Sequence, residues 1–410
     1  MNNCTPIFEC LACGSHNLSR ALDLGNQPLA NNFRDNDEVV EQQYPLVVNR
    51  CNDCDHLQLT HAVDPKIIYT HYLYVSGTAR TYIEYMDWYA GFVSETITNS
   101  AGGHIGPYSV LDVGCNDGSQ LNAFRSLTFK TYGIDPAENL HPKSSANHEV
   151  VCGFFSADTL GKLSKKRFDV ISNQNAFAHL PNPLEYLTLA KEALSDIGRI
   201  FISTSQADMV LNGEFDTIYH EHISFYNAES MRRLAERAGL HLVDVVKTPI
   251  HGTSYIFILA KQPLNRYRMS NILGYEQRAG LHEAHTYHQW SHSVDLILKD
   301  LKEKLDFYKQ HGYTLVGYGA AAKGMTLLNA SGVTLDAVID DNPLKQGTWC
   351  PGVNTPVVDI NYLDNFGNSD RIVFVPLAWN FYNEIVSKIH TKRNSANDRF
   401  VRYFPKVDIQ

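Results

Sequence analysis

The stretch "YSVLDVGCNDGSQL", residues 108–121, constrains the fold more than any other feature of the chain. An apolar strand runs straight into Gly114 and Gly118, and a helical pattern follows. Glycine at a strand-to-helix turn lets a ligand approach the backbone closely, and an apolar strand of this kind needs cover on both faces. Its neighbours are at hand: "KTYGID", "FDVISN" and "GRIFIST" alternate with segments long enough for helices. This alternation predicts an α/β domain with a parallel sheet. "KTYGID" ends in Asp135, 21 residues after Gly114, where a carboxylate can accept hydrogen bonds from both hydroxyls of a ribose. The loop reads D-x-G-x-x-x-G from Asp112 and lacks the G-x-G-x-x-G of dinucleotide sites.

A second unit of the same kind lies at "YTLVGYGAAAKGMTLLN", with Gly317, Gly319 and Gly324 around Lys323, and the next strand ends in Asp340-Asp341. Backbone N–H groups, a helix N-terminus and an ammonium converge there, which suits a phosphate-bearing ligand, either a dinucleotide or a nucleotide-linked substrate. At 410 residues the chain exceeds what one core supports. Three domains are expected, over 1–70, 71–245 and 246–410, the last boundary falling where Pro249 and Gly252 interrupt the pattern.

The first domain carries Cys10-x-x-Cys13 and Cys51-x-x-Cys54. Two such pairs let four thiolates grip a tetrahedral zinc ion, leave no position for water and staple a domain with little core of its own. Cys4, Cys115, Cys152 and Cys350 lack partners at that spacing and read as small apolar residues. The net charge of −9 argues against nucleic acid as a partner. No apolar run reaches the length of a membrane span, and the start has no basic stretch followed by an apolar one, so a cytoplasmic location is expected.

"TIYHEHISFY", residues 217–226, sets Tyr219, His220, Glu221 and His222 side by side in an apolar context. Helical zinc sites need histidines four apart, and these are two apart. A neutral histidine beside a carboxylate makes a general base working near neutral pH, because the carboxylate stabilises the cation formed. Tyrosines supply neutral donors for a developing oxyanion. The residues alone favour proton transfer over a metal site, with a structural hydrogen-bonded loop as the alternative.

Over essentially its full length the chain resembles the nucleotide-sugar C-methyltransferases, zinc-containing enzymes that use S-adenosyl-L-methionine on 4-keto-deoxysugars in antibiotic or surface-polysaccharide biosynthesis. The resemblance is carried by Cys10, Cys13, Cys51 and Cys54, by "HYLYVSGTA", "LDVGCNDGS", "NAFAHLPNP" and "FDTIYHEHISFY", and by "GYGAAAKGMTLLN", "IDDNPLKQG" and "LAWNF". It implies a small N-terminal zinc-binding domain, a central class I methyltransferase domain and a second Rossmann-like α/β domain that helps to hold the nucleotide sugar. The family's active-site pattern falls on Tyr74, His179, Tyr219, Glu221 and His222. Cofactor contacts fall on Asp112, Gly114, Asn116, Gly118, Asp135 and Asn173, and substrate contacts on Tyr72, Ser76, Tyr318, Gly319, Lys323, Asn342 and Asn380. "HGTSYIF" departs from the more usual HGGS-type run, and Ala321 stands where the family commonly has Pro.

The implied chemistry is methylation of carbon, with carbon 3 of the sugar as the acceptor. His222, oriented and charge-supported by Glu221, removes the proton beside the ketone, while Tyr74, His179 and Tyr219 surround the sugar and stabilise the enolate; no metal takes part. The expected assembly is a monomer or weak oligomer, with no nucleic-acid or membrane partner. Two other readings compete. One is a small-molecule O- or N-methyltransferase in which "YHEH" is structural, and the other is a non-catalytic zinc- and dinucleotide-binding module.

Overall fold

The chain folds as three units in sequence order, and a computed structural model describes residues 3–38, 40–69, 75–78, 80–100, 102–103, 106–204, 208–249, 253–264 and 267–410. In the first unit β1 (Cys4–Pro6) pairs with β5 (His61–Val63), and β2 (Leu18–Gln27), β3 (Tyr44–Cys51) and β4 (Leu57–Leu59) form an antiparallel sheet. The four cysteines cross-brace it. Cys10 Sγ lies 3.6 Å from Cys54 Sγ, Cys13 Sγ lies 3.5 Å from Cys51 Sγ, and all four sulfurs fall within 4.8 Å of one another. Sulfurs at about 2.3 Å from a tetrahedral zinc stand roughly 3.8 Å apart, so the set fits the ion. Its charges call for one as well. Hydrogen bonding to Cys51 pushes the Cys10 thiol up to about 12, whereas Cys51, bonded to Cys10, is drawn down. A divalent cation bound by four thiolates removes that conflict.

The second unit carries β6 (Ser109–Val113), β7 (Lys130–Asp135), β8 (Glu149–Cys152), β9 (Phe168–Gln174), β10 (Leu194–Thr204), β11 (Ser224–Phe225), β12 (His241–Thr248) and β13 (Ser254–Ala260). Among the described residues its sheet has the order β12-β13-β10-β9-β6-β7-β8. β6 is buried at every position, as a parallel strand covered by helices on both faces must be. β13 is buried throughout and runs antiparallel between β10 and β12, so the sheet continues across the boundary expected at residue 245. A strand so apolar is satisfied only between two neighbours, and β10 and β12 supply them. Strand order reverses between β6 and β9, and the carboxyl ends of these strands open the crevice where doubly wound sheets take their ligands. β11 leaves this unit and pairs with β4 of the first.

The third unit has the sheet order β16-β15-β14-β17-β18-β19, built from β14 (Thr314–Tyr318), β15 (Ala337–Ile339), β16 (Val357–Val358), β17 (Ile372–Pro376), β18 (Arg399–Arg402) and β19 (Asp408–Ile409). All its pairings are parallel except that of β19. Helix Ala284–Gln310 buries Tyr287, Trp290, Val294, Ile297, Leu301 and Leu305, a stripe stepping by three and four. That stripe shares one core with Leu22 and Val48 of the first unit and Leu315 and Val375 of the third. Arg34 pins the loop after β2 to the third unit, donating from Nη2 to the carbonyls of Cys350 and Val353, each at 3.0 Å, and pairing with the buried Glu41 at 3.3 Å.

Removing the metal with a strong chelator, or replacing Cys13 by Ser, is expected to lower the first thermal transition by a free energy on the order of several kcal/mol. Circular dichroism melts, with zinc quantified at about one ion per chain before treatment, check this.

Candidate active site

Residues 216–226 are bonded to every unit of the chain. Trp379 Nε1 donates to Asp216 Oδ2 at 2.8 Å and Thr326 Oγ1 to the Ile218 carbonyl at 3.0 Å, both from the third unit. The Ile223 amide donates to the Ala178 carbonyl at 2.8 Å, in the turn that follows β9. The Leu59 amide donates to the Ile223 carbonyl at 2.8 Å, and His220 Nε2 lies 3.2 Å from the Tyr44 carbonyl, both in the first unit.

This docking sets the geometry of His222. Its Nδ1 lies 2.7 Å from the Thr217 carbonyl, so that nitrogen carries the proton, and Nε2, 3.0 Å from the Tyr219 hydroxyl, keeps its lone pair. His179 stacks on the same ring with centroids 5.2 Å apart, and Tyr69 stacks on His179 at 5.3 Å. Burial lowers the pKa of His179 to about 4, which keeps that imidazole neutral. Burial and then the charges of Glu221 and Tyr219 raise Tyr69, which keeps its hydroxyl protonated; it donates to the Glu221 carbonyl at 3.2 Å. The buried Glu221 side chain accepts from Asn31 Nδ2 at 2.6 Å.

Three further groups reach this centre from afar. Asn31 and Phe33 arrive on the loop pinned by Arg34, and Lys345 comes from the third unit. Lys345 Nζ donates to the Ala320 carbonyl at 2.7 Å and lies 4.8 Å from the centre of the Phe33 ring. Burial pulls the ammonium below the usual lysine range, against Asp340, Cys350 and Glu221, which favour its charge.

The crevice at the ends of β6, β7 and β9 gathers the six residues expected at a cofactor. Gly114 adopts φ 81°, and a Cβ there would lie 2.8 Å from the Ala176 methyl, so the turn requires glycine. Asp135 accepts the Asn116 amide on Oδ2 and the Ala137 amide on Oδ1, each at 2.8 Å, which fixes the carboxylate and leaves a lone pair on each oxygen. Asn173 is buried at the end of β9, and its side-chain oxygen and nitrogen have no hydrogen-bond partner among the described residues. Burial, and after it the charge of Asp135, raises Asp112 to about 7, where a cationic ligand would favour ionisation. A ligand with ribose hydroxyls, polar groups for Asn173 and positive charge fits these groups, and S-adenosylmethionine has all three.

In the third unit Gly319 adopts φ 90°, Asp340 accepts the Ala320 amide at 2.6 Å, and Lys323 Nζ stands 5.3 Å from the centre of the Trp379 ring, with Asn380 next in the same turn. Asn342 serves a turn, its side chain accepting the Leu344 amide at 3.0 Å. Tyr318 packs with Val316 and Ile339 on the face of β14 opposite Leu315, and its hydroxyl donates to Asp341 at 2.9 Å. Strand alternation thus sets the Tyr318 ring in the core, with its hydroxyl at the carboxyl end of β14 beside Asp341. Ser76 lies against the cofactor loop, its amide donating to Asn116 Oδ1 at 3.0 Å. Tyr72 and Tyr74 fall outside the described residues.

The fold and the crevice define an S-adenosylmethionine-dependent methyltransferase. A methyltransferase domain model matches residues 83–245, a zinc binding domain model residues 10–69, and a C-methyltransferase C-terminal domain model residues 249–405. Together the three models cover most of the chain, in the order zinc binding, methyltransferase and C-methyltransferase C-terminal domain. It is 28% identical over 393 residues to the C-methyltransferase NovU of Streptomyces niveus, a match spanning 93% of this chain and 92% of that protein. The ubiquinone biosynthesis O-methyltransferase of Dinoroseobacter shibae is 28% identical over 152 residues, 33% of this chain and 60% of that protein. A solved S-adenosylmethionine-dependent methyltransferase from Clostridium acetobutylicum superposes with a TM-score of 0.34 at 13% identity, over 43% of this chain and 91% of its own. Among the described residues no helix is long and apolar enough to cross a membrane.

Burial lowers the pKa of His220 to about 4 from an ordinary 6.5. The unfolded chain therefore binds a proton there that the folded one does not, and stability present above pH 6.5 is lost as the pH falls toward 4, by on the order of 3 kcal/mol. His220→Gln keeps an N–H for the Tyr44 carbonyl but does not titrate. Denaturant unfolding at pH 7 and pH 4.5 is expected to show a smaller difference for this variant than for the wild type.

Proposed function

We propose that the protein transfers the methyl group of S-adenosylmethionine to the carbon beside the ketone, carbon 3, of a nucleotide-linked 4-keto-6-deoxyhexose in deoxysugar biosynthesis. The observation that carries this reading is the state of His222: Nδ1–H is committed to a backbone carbonyl, and Nε2 offers a lone pair in a packed aromatic setting. Methylation of oxygen needs little activation of the acceptor, whereas a saturated carbon must first lose a proton. An imidazole held in this tautomer suits that task.

The cofactor supplies an electrophilic methyl group on a cationic sulfur. In this reading Asp135 holds its ribose, Asp112 serves its positively charged end, and Asn173 contacts it where the end of β9 borders the transferred methyl group. His222 takes the proton from the carbon, and electron density moves onto the ketone oxygen. When the substrate proton occupies Nε2, the Tyr219 hydroxyl is released to donate toward that oxygen. Glu221, steadied by Asn31, supports the imidazolium. Lys323, at the N-terminal end of helix Ala322–Ser331, faces the charged nucleotide.

Exchange of the sugar α-proton with deuterium from solvent, followed without methyl transfer, isolates the base. His222→Ala is expected to lose exchange and methylation together, each by about 10²–10⁴-fold. Exchange at the wild-type rate would remove His222 as the base. Mass spectrometry with TDP-, GDP- and CDP-linked 4-keto-6-deoxyhexoses reads the donor.

Asp112 gives a further expectation. With a free-state pKa of about 7, it is partly protonated at neutral pH, and a cationic ligand draws the proton off. S-adenosylmethionine affinity should therefore rise with pH up to about 7 and level off above it. Calorimetry on Asp112→Asn is expected to show weaker binding without that slope.

A further inference from the structure

The side chains of the cofactor loop do more than shape the crevice. The Ser76 amide donates to Asn116 Oδ1 at 3.0 Å, and the next amide, Gly77, donates to Asp117 Oδ2 at 3.3 Å. Both acceptors sit between Gly114 and Gly118, and their own positions are closely set. Asn116 has φ 49°, and its amide is held by Asp135 at 2.8 Å. The fully buried Asp117 side chain accepts the Ser119 amide on Oδ1 at 3.1 Å and Lys143 Nζ on Oδ2 at 2.7 Å. Burial opposes its charge, but Lys143 and Ser119 outweigh that and hold the carboxyl below the usual range.

Gly77 is required here for space and not for conformation, because its φ is −79°. A Cβ at this position would lie 2.7 Å from Asp117 Oδ2 and closer still to Ser119 Oγ. A backbone seated this tightly follows the loop beneath it. The series Asp135, Asn116, Ser76 thus links a carboxylate expected at the cofactor ribose to Ser76, a residue expected at the substrate, and in this the inference rests on the function proposed above.

We propose that Gly77 and Asp117 are positioning residues, which with Asn116 latch the Ser76–Gly77 backbone onto the cofactor loop so that cofactor binding orders Ser76 for the acceptor. A ligand that fixes Asp135 and Asn116 fixes the two acceptors of the Ser76 and Gly77 amides. By linkage, acceptor binding then tightens the cofactor site by the same factor.

The test is amide hydrogen exchange on the zinc-loaded full chain with and without S-adenosylhomocysteine, at saturation established by calorimetry. In the wild type the product is expected to slow exchange of the Ser76 and Gly77 amides by at least about tenfold. In Gly77→Ala that protection should fall to within about twofold of the free protein, while protection of the Asn116 and Ala137 amides on binding persists. Asp117→Asn, which keeps an oxygen for Ser119 but loses the pairing with Lys143, should give an intermediate result. Unchanged exchange at Ser76 and Gly77 in the saturated wild type overturns the latch and leaves the methyl-transfer reading standing. The same holds if Gly77→Ala shows the full wild-type protection. Absence of binding to the wild type sinks the cofactor assignment and the latch together.

Discussion

The active centre depends on how the backbone of residues 216–226 is satisfied. Apart from the two residues of β11 the segment runs without regular structure, yet Asp216, Thr217, Ile218, His220, Glu221, His222 and Ser224 are all buried. Buried amides and carbonyls without partners cost about 1–3 kcal/mol each, so the segment needs bonding from outside itself. Its partners lie in all three units: Leu59 and Tyr44, Ala178, and Thr326 with Trp379. No single domain can therefore hold His222 in place. This explains why a zinc site that performs no chemistry belongs to the machine. Cys51 ends the strand that begins at Tyr44, and Cys54 lies three residues before Leu57, where β11 pairs.

The same reasoning applies to the third unit. Arg34 ties the loop carrying Asn31 and Phe33 to Cys350 and Val353, and Lys345 extends from that region to the Ala320 carbonyl and the Phe33 ring. The glycine loop of the third unit and the carboxylate of the second are thus held against one short piece of the first. A shift of either α/β unit would be felt at Glu221 through Asn31.

Much of this was legible in the sequence because it is written locally. Strand, glycine and acid sit within a few dozen residues around Gly114, the cysteine pairs announce a metal, and "YHEH" brings three of the converging side chains in one run. The illegible part is long-range. Asn31 meets Glu221 across 190 residues, and Tyr69 meets the same residue's carbonyl across 152. Neither has a local pattern that distinguishes it from an ordinary loop or helix-end residue. Thr217 escaped for a different reason. It acts through its carbonyl, and a backbone group leaves no trace in residue type. Tyr318 lies in a telling motif, and its strand's alternation packs the ring into the core, which the motif alone does not reveal.

The stacked imidazoles raise a question of charge that the burial pattern answers. Two histidines 5.2 Å apart cannot both become cations cheaply in a packed site. His179 is held neutral by its burial, with a pKa of about 4, so a proton arriving at His222 meets an uncharged neighbour. Tyr69 on the far face of His179 is likewise held neutral. On the proposed mechanism the positive charge created by proton abstraction meets the orienting Thr217 carbonyl, with the Glu221 carboxylate next in sequence. A base flanked by groups fixed in their neutral forms can cycle without dragging its surroundings through a change of protonation. Such an arrangement suits the proposed carbon-acid substrate, whose proton must leave before the methyl group is attacked and return to solvent afterwards.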